Sequence, residues 1–150
     1  MQPMEHVIYV SVAAQEFNTQ ELALLLEKAR SANASAGLSG MLLHSDADGS
    51  FFQVLEGEQG AIDQLLGKLR LDKRHSHLSI LIREPITERS FGEWTMGFSS
   101  MSPEKLRKIP GLNDFFSQRS CFTELGAGRA RKLLAAYAEG RWRRKMQTAA

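Results

Sequence analysis

Ser50-Phe51-Phe52-Gln53-Val54-Leu55-Glu56-Gly57 is the most informative segment of this 150-residue chain. Its aromatic and branched side chains are typical of a buried β-strand. Gln53 places an amide where such a strand would normally carry an apolar side chain, and a buried amide without hydrogen-bond partners costs about 1 to 3 kcal/mol. We therefore predict a polar group opposite Gln53. An ordinary core amide, or an edge residue that faces water, is the alternative.

Strand and helix patterns alternate on both sides of this strand up to about residue 100. The predicted strands cover 6–12, 38–44, 50–57, 77–83 and 94–99, and the predicted helices run from a cap at Asn18 to Gly37 and over 59–71. Asn18 and Glu21 have the spacing of a capping box, and Gly37 is typical of a helix end. The βαββαββ order predicts an α+β fold, a ferredoxin-like sheet with both helices on one face.

The opposite face of this sheet needs a cover, because the residues expected on it are apolar: Ile8, Val10, Val12, Leu42 and Val54. The C-terminal part of the chain can supply this cover. A short helix is predicted from Ser102-Pro103-Glu104, Pro110-Gly111 ends it, and an amphipathic pattern runs from Thr123 to Tyr137. We predict a domain over 1–100 and a helical extension over 101–150 that packs on this face.

Three polar side chains are expected on the helix-covered side of the sheet: Tyr9, Asn33 and Gln53. Side chains alternate along a strand, so Gln53 shares a face with Phe51. Taken singly, Tyr9 is an ordinary core tyrosine and Asn33 a helix cap. Together with Gln53 they predict a slot for a planar, hydrogen-bonding ligand, with apolar walls formed by Leu25, Phe51 and Leu69.

Composition excludes several classes of protein. A net charge of +2 does not by itself indicate a nucleic-acid partner, and Cys121 is the single cysteine, so no disulfide framework is expected. No apolar run approaches the roughly 20 residues of a membrane span, and the N-terminus lacks the pattern of a signal peptide. Cys121 and the four histidines form no motif with nucleophile or metal-ligand spacing. We expect a cytoplasmic protein that is not an enzyme, with no membrane and no metal site.

A nucleic-acid-binding or protein-interaction module is the alternative to a protein that binds such a planar ligand. A ferredoxin-like sheet can bind RNA through aromatic side chains on its open face, and the C-terminal residues from Arg129 to Lys145 are basic. The Gln53 strand, however, lacks interleaved Arg or Lys, so we do not expect a nucleic-acid partner.

Several blocks of the sequence stand in a characteristic order: Val7-Ile8-Tyr9-Val10-Ser11, Asn33 followed by Gly37-Leu38-Ser39-Gly40-Met41-Leu42-Leu43, Phe52-Gln53-Val54-Leu55-Glu56-Gly57, Asp72-Lys73-Arg74-His75 and Phe91-Gly92-Glu93-Trp94-Thr95-Met96. In order and spacing they resemble the BLUF family, the flavin-binding blue-light sensors, from about residue 5 to 100. The short C-terminal extension is similar to that of stand-alone members, which carry no fused output enzyme.

The resemblance implies a noncovalently bound flavin, usually FAD, with FMN or riboflavin as alternatives. It implies that Tyr9 and Gln53 are the photoactive pair and that Asn33 holds the polar edge of the flavin ring. Lys68 and Asp72 match polar positions near the ring edge and the flavin side chain, although ordinary helix-surface charge explains them equally well. Ala32 departs from the family, because many members carry a hydrogen-bonding side chain at this position.

The resemblance also implies a mechanism, a hydrogen-bond switch. Tyr9 gives up an electron and a proton after light absorption, Gln53 rotates, changes tautomer or does both, and the flavin ends chemically unchanged. Trp94 and Met96 occupy the family's switch strand. Because they are two residues apart, they are expected to be able to face the same side, and either can lie beside Gln53. The signal is expected to pass to a separate effector protein, and a homo-oligomer is expected.

Overall fold

The computed structural model describes residues 3–13, 18–71, 75–92, 94–109, 112, 115–116 and 121–138. Its strands are β1 (Met4–Ala13), β2 (Ser39–Ser45), β3 (Ser50–Glu58), β4 (His75–Pro85) and β5 (Gly97–Met101). Its helices include α1 (Thr19–Ala36), α2 (Gln59–Leu71), α3 (Pro103–Arg107) and α4 (Ala127–Ala138), with a 3₁₀ turn at Phe122–Glu124. The predicted α+β class and βαββαββ order are confirmed.

The strands of the described residues form one sheet in the order β4-β1-β3-β2-β5. The first four strands of this order pair antiparallel, as in a ferredoxin-like sheet, whereas β5 adds to β2 in parallel. β1 and β3 are therefore internal strands, and their register places Tyr9 directly opposite Gln53. Side chains in such a cross-strand pair lie on the same face of the sheet, close enough to interact.

The ends of α1 follow from local sequence chemistry. The Glu21 N–H donates to the Asn18 side chain at 2.8 Å, and the Asn18 N–H donates to the Glu21 carboxylate at 3.2 Å, which confirms the capping box. At the other end Gly37 adopts φ 71°, a left-handed conformation that costs glycine little. Both ends of α1 are thus fixed by residues close to them in the chain.

Two hydrophobic layers cover the two faces of the sheet. On one face, side chains of α1 and α2, among them Leu26, Ile62 and Leu66, pack against the sheet. On the other face Ile8, Val10 and Val54 pack, as predicted, against residues of the C-terminal part, including Leu106, Ile109, Phe122 and Leu133. The predicted helical cap is therefore in contact with the sheet, on the face opposite α1 and α2.

One predicted position needs revision on the capped face, the face of the sheet that packs against the C-terminal residues. The prediction for Leu42 is wrong, because Leu42 pairs with Gln53 and belongs to the layer beneath α1 and α2. Val12 is only half-buried at the end of β1. The run Met41-Leu42-Leu43 at the centre of β2 is apolar at each position, so no polar side chain within this run marks the face on which Leu42 lies.

Two predicted boundaries also differ from the structure. β5 begins at Gly97 and not at residue 94, so Trp94 and Met96 precede the strand. The amphipathic segment predicted from Thr123 becomes a helix only at Ala127, because Leu125 has an extended backbone and separates the 3₁₀ turn from α4. Asp72 and the Pro110-Gly111 break lie outside the described residues.

None of the helices in the described ranges is long and apolar enough to cross a membrane.

Candidate functional site

A cleft of about 220 Å³ lies between α1, α2 and the sheet. Its floor is formed by four strand residues, Tyr9, Leu42, Phe51 and Gln53. A volume of this size is several times the ~30 Å³ that one water molecule occupies in the liquid. The cleft can therefore hold a ligand group and not merely a bound water.

The walls come from helical residues spaced so that they share one face. α1 contributes Leu25, Lys28, Ala29, Ala32 and Asn33, and α2 contributes Leu65, Lys68 and Leu69. These spacings of three and four residues are those of neighbours along a helix surface. Two largely apolar walls above a floor that carries two polar groups, those of Tyr9 and Gln53, suit a flat ligand with hydrogen-bonding edges.

Most residues predicted for the ligand slot meet at this cleft. Those that line it are Tyr9, Gln53, Asn33, Leu25, Phe51, Lys68, Leu69 and Met96. Trp94 is absent from the lining, and Asp72 lies outside the described residues. Sequence reasoning missed Lys28, Ala29 and Leu65 on the helices, and it placed Leu42 on the opposite face of the sheet. The helical spacing of Lys28 and Ala29 from Leu25 and Ala32, and of Leu65 from Leu69, is the signal that would have found them.

Tyr9 carries the most informative polar atom of the cleft. Its side chain is 1% exposed, and its hydroxyl has no hydrogen-bond partner within the described part of the chain. Burial raises the pKa of Tyr9 well above its ordinary value, so the phenol holds its proton at neutral pH. A buried hydroxyl without a partner costs about 1 to 3 kcal/mol. A ligand acceptor, or the amide of Gln53 opposite, can remove this cost.

Gln53 turns its amide toward Met96. The amide nitrogen lies 3.6 Å from the Met96 sulfur, and the Gln53 side chain is half-buried. A thioether is a weak acceptor, so a ligand oxygen or nitrogen would compete well for this amide hydrogen. The amide can also accept a hydrogen bond through its oxygen, which makes Gln53 able to exchange the two roles.

Asn33 is buried in the last turn of α1, and its side chain does not cap the helix. Its amide nitrogen donates to the Thr95 carbonyl at 2.6 Å. The cap is made instead by backbone groups, since the Leu38 N–H donates to the Asn33 carbonyl at 2.8 Å. One turn earlier, Arg30 donates through Nε to the Met96 carbonyl at 2.9 Å, a contact that sequence reasoning missed. α1 therefore holds the residues that precede β5.

Trp94 and Met96 lie on opposite sides of the sheet, which contradicts the expectation that they can face the same side. Met96 is buried in the layer beneath α1 and α2, whereas Trp94 packs with the capped face and stacks on Phe91 at 5.8 Å. Strand alternation does not apply to them, because both precede the first residue of β5. Met96, and not Trp94, is the residue beside Gln53.

Charge is concentrated at the rim of the cleft. Lys28 and Lys68 are the charged residues among its described lining, and both are exposed on facing helices. Such a pair of ammonium groups would attract an anionic group that extends out of the cleft. Ala32, on the same wall as Lys28, offers no side-chain hydrogen bond.

These features fit the ring of a flavin. An isoalloxazine is flat, apolar on both faces and rich in hydrogen-bonding groups along one edge. The cleft offers apolar walls, the buried amide of Asn33, the amide of Gln53 and the unpartnered hydroxyl of Tyr9. The fold and the cleft together define a ferredoxin-like domain suited to a flavin.

Comparison with known proteins gives the family. A family model described as sensors of blue light using FAD matches residues 4–97. The chain is 36% identical over 110 residues to photoactivated adenylate cyclase subunit alpha of Euglena gracilis, a match that covers 73% of this chain and 10% of that protein. The chain thus spans about a tenth of this relative's length. It belongs to the BLUF family of blue-light sensors.

Solved structures agree with this assignment. The photo-activated state of BlsA has a TM-score of 0.73 and 29% identity to this chain, over 92% of this chain and 96% of BlsA. The dark-state structure of BlrB has a TM-score of 0.69 over 93% of this chain and 99% of BlrB. At 24% identity, the second likeness supports the fold alone.

Proposed function

We propose that this chain is a blue-light receptor in which Tyr9 and Gln53 form the photoactive pair. The single observation that carries this proposal is their direct pairing in the cleft, with the Tyr9 hydroxyl buried and unpartnered among the described residues. A phenol and an amide side by side can relay a proton and exchange donor and acceptor roles. An ordinary apolar core would place neither group there.

The flavin is FAD in this proposal. The family description names FAD, and Lys28 and Lys68 at the rim suit the phosphates that FAD and FMN carry and riboflavin lacks. Asn33 would hold the polar edge of the ring, and the apolar walls would include Leu25, Phe51 and Leu69. Asp72, directly after α2, is proposed to lie near the flavin side chain.

When bound, the flavin supplies blue-light absorption and, in its excited state, a strong oxidant. The residues of the chain supply the rest. Tyr9 holds a proton at its hydroxyl in the dark, because burial disfavours the phenolate. Gln53 has one donor and one acceptor end, and its weak contact with Met96 leaves the amide free to reverse them. The reversed Gln53 amide then presents a different group to Met96, which changes the preferred position of the Met96 side chain.

The C-terminal residues carry the output in this proposal. We propose that residues 1–100 form the sensor and that residues 101–150 form an extension that presents the signal to a separate effector protein. The chain itself acts as a cytoplasmic sensor, works as a homo-oligomer and catalyses no reaction in this proposal. The Euglena relative, by its name, is a cyclase.

The test is difference spectroscopy on the purified protein. The parent is expected to carry oxidised flavin and to show a reversible red shift under blue light. Gln53→Leu is expected to keep the flavin and lose the shift, because leucine has no donor or acceptor. Gln64→Leu, on the exposed surface of α2, is the matched control and is expected to behave as the parent. A normal shift in Gln53→Leu would rule out the proposed switch, and a colourless parent would favour a binding module without chromophore.

A further inference from the structure

A buried carboxylate lies on the capped face of β3, three residues after Gln53. Glu56 is 1% exposed. One oxygen accepts from the Ser39 hydroxyl at 3.0 Å and from the Phe91 N–H at 2.9 Å, and the other accepts from the Ser90 N–H at 2.6 Å. A carboxylate is rarely buried without such partners, since its removal from water is costly. Glu56 therefore holds two consecutive backbone amides in the connection between β4 and β5.

Arg89 reinforces this arrangement. Its guanidinium donates to the Ser39 hydroxyl at 2.8 Å, to the Glu56 carbonyl at 3.1 Å and to the Gly37 carbonyl at 2.8 Å. Gly37 ends α1, and Ser39 begins β2. The connection after β4 is thus tied to the end of α1 and to the centre of the sheet at the same place.

The residues that follow lead from Glu56 to the cleft. We name residues 90–92 and 94–96 the crossing segment, because Phe91 and Trp94 pack on the capped face and Met96 packs beneath α1 and α2. The Gly40 N–H donates to the Trp94 carbonyl at 3.1 Å. The crossing segment is therefore held by Glu56 at its start and by residues of the cleft wall and floor at its end.

We propose that Glu56 is a positioning residue for the light switch: it fixes the start of the crossing segment, so that a rearrangement at Gln53 and Met96 is transmitted to Trp94. This inference rests on the proposed function. Glu56 touches neither the cleft nor its ligand, since its side chain lies on the other face of the sheet from Gln53. Without the hydrogen bonds from Glu56, the crossing segment can shift at its start, and the rearrangement at Gln53 and Met96 no longer changes the packing of Trp94.

Glu56→Gln tests this directly, because the amide has nearly the shape of the carboxylate. In either orientation it turns a donor toward amides that are themselves donors, so at least one hydrogen bond is lost. Hydrogen–deuterium exchange in the dark is expected to be faster by about tenfold or more at Ser90 or Phe91, whichever amide loses its acceptor, which corresponds to about 1.4 kcal/mol. Glu58→Gln, at the exposed end of the same strand, is the matched control and is expected to exchange as the parent does.

The second measurement reads Trp94 in the light. The chain has two tryptophans, so Trp142→Phe leaves Trp94 as the single emitter. In this background Glu56→Gln is expected to keep the flavin and the red shift, but to lose at least half of the light-induced change in Trp94 emission. A merely structural role would lower thermal stability and leave this response intact.

The outcomes separate this inference from the proposed function. A parent without a red shift refutes the proposed function, and the inference falls with it. A parent with a normal red shift, together with parental exchange or a parental Trp94 response in Glu56→Gln, overturns the inference alone. If Glu56→Gln does not fold, Ser39→Ala takes its place, because it removes the hydroxyl between Glu56 and Arg89. Parental behaviour of folded Ser39→Ala then overturns the inference, and a reduced Trp94 response supports it.

Discussion

Replacing Tyr9 by phenylalanine should affect stability, flavin affinity and photochemistry in three separate ways. The substitution keeps the buried ring and removes only the hydroxyl, which has no partner among the described residues. An unpartnered buried hydroxyl costs about 1 to 3 kcal/mol. In the flavin-free protein, Tyr9→Phe is therefore expected to raise the free energy of unfolding by about 1 kcal/mol or more.

Binding of flavin should reverse this advantage. If the bound state gives the hydroxyl a partner, the parent gains a net hydrogen bond of about 0.5 to 1.5 kcal/mol that the variant cannot form. Relief of the penalty and gain of the bond both favour the parent, so Tyr9→Phe should bind flavin about tenfold or more weakly. Its light-induced red shift should be absent, because the phenol proton is missing.

Urea unfolding with and without flavin, flavin titration and difference spectroscopy check these three effects. Tyr137→Phe alters the other tyrosine of the chain and is the control for the loss of a phenol in general. A full photocycle in Tyr9→Phe would refute the donor role of Tyr9. Equal unfolding free energies of the flavin-free parent and variant would show that the hydroxyl finds a partner without ligand, such as the Gln53 amide, and would refute the cost assigned here to an unpartnered hydroxyl.

Three further predictions follow from other contacts. The double substitution Lys28→Gln and Lys68→Gln should weaken FAD binding and reduce its dependence on salt, while leaving riboflavin affinity unchanged. Titrations with both flavins at two salt concentrations would show this. Equal losses of affinity for FAD and riboflavin would contradict a phosphate contact. Met96→Leu should alter the dark-recovery rate, because it removes the sulfur beside Gln53. Trp94→Phe should preserve the recovery rate and reduce the light-dependent change in partner binding or assembly. The reverse pattern in kinetic and binding assays would contradict the placement of Met96 and Trp94 on opposite faces of the sheet. Hydrogen bonds from Arg131 and then from His6 lower the pKa of Glu84 to about 2, so the stabilisation by Glu84 is present above about pH 4.5 and is lost as the pH falls toward 2. Glu84→Gln should flatten this part of a melting-temperature profile, and an unchanged slope would refute the contribution.

Those parts of the fold that depend on local chemistry could be predicted from the sequence. The capping box of Asn18 and Glu21, the end of α1 at Gly37 and the bounds of α2 each depend on residues close together in the chain. The pairing of Tyr9 with Gln53 was within reach, because two polar residues in apolar strands each require a partner. Their roles in light sensing came from the family resemblance and stay predictions.

The orientation of β2 could not be predicted. A strand buried on both faces reads as a continuous apolar run, and its register is determined by the neighbouring strands. Leu42 pairs with Gln53 on β3 and with Phe98 on β5, contacts that no local pattern reveals. The error therefore fell at a position where the sequence carries no alternation.

The same limit explains the crossing segment, where tertiary hydrogen bonds replace secondary structure. Sequence reasoning extended β5 back to Trp94 and therefore applied strand alternation to Trp94 and Met96. The chain instead passes from one face of the sheet to the other between these residues, held by Asn33 on the cleft side and by Glu56 on the capped side. Each contact joins residues more than 30 positions apart. Because the two anchors lie on opposite faces of the sheet, the crossing segment connects the cleft, where Met96 lies beside Gln53, with the capped face, where Trp94 packs.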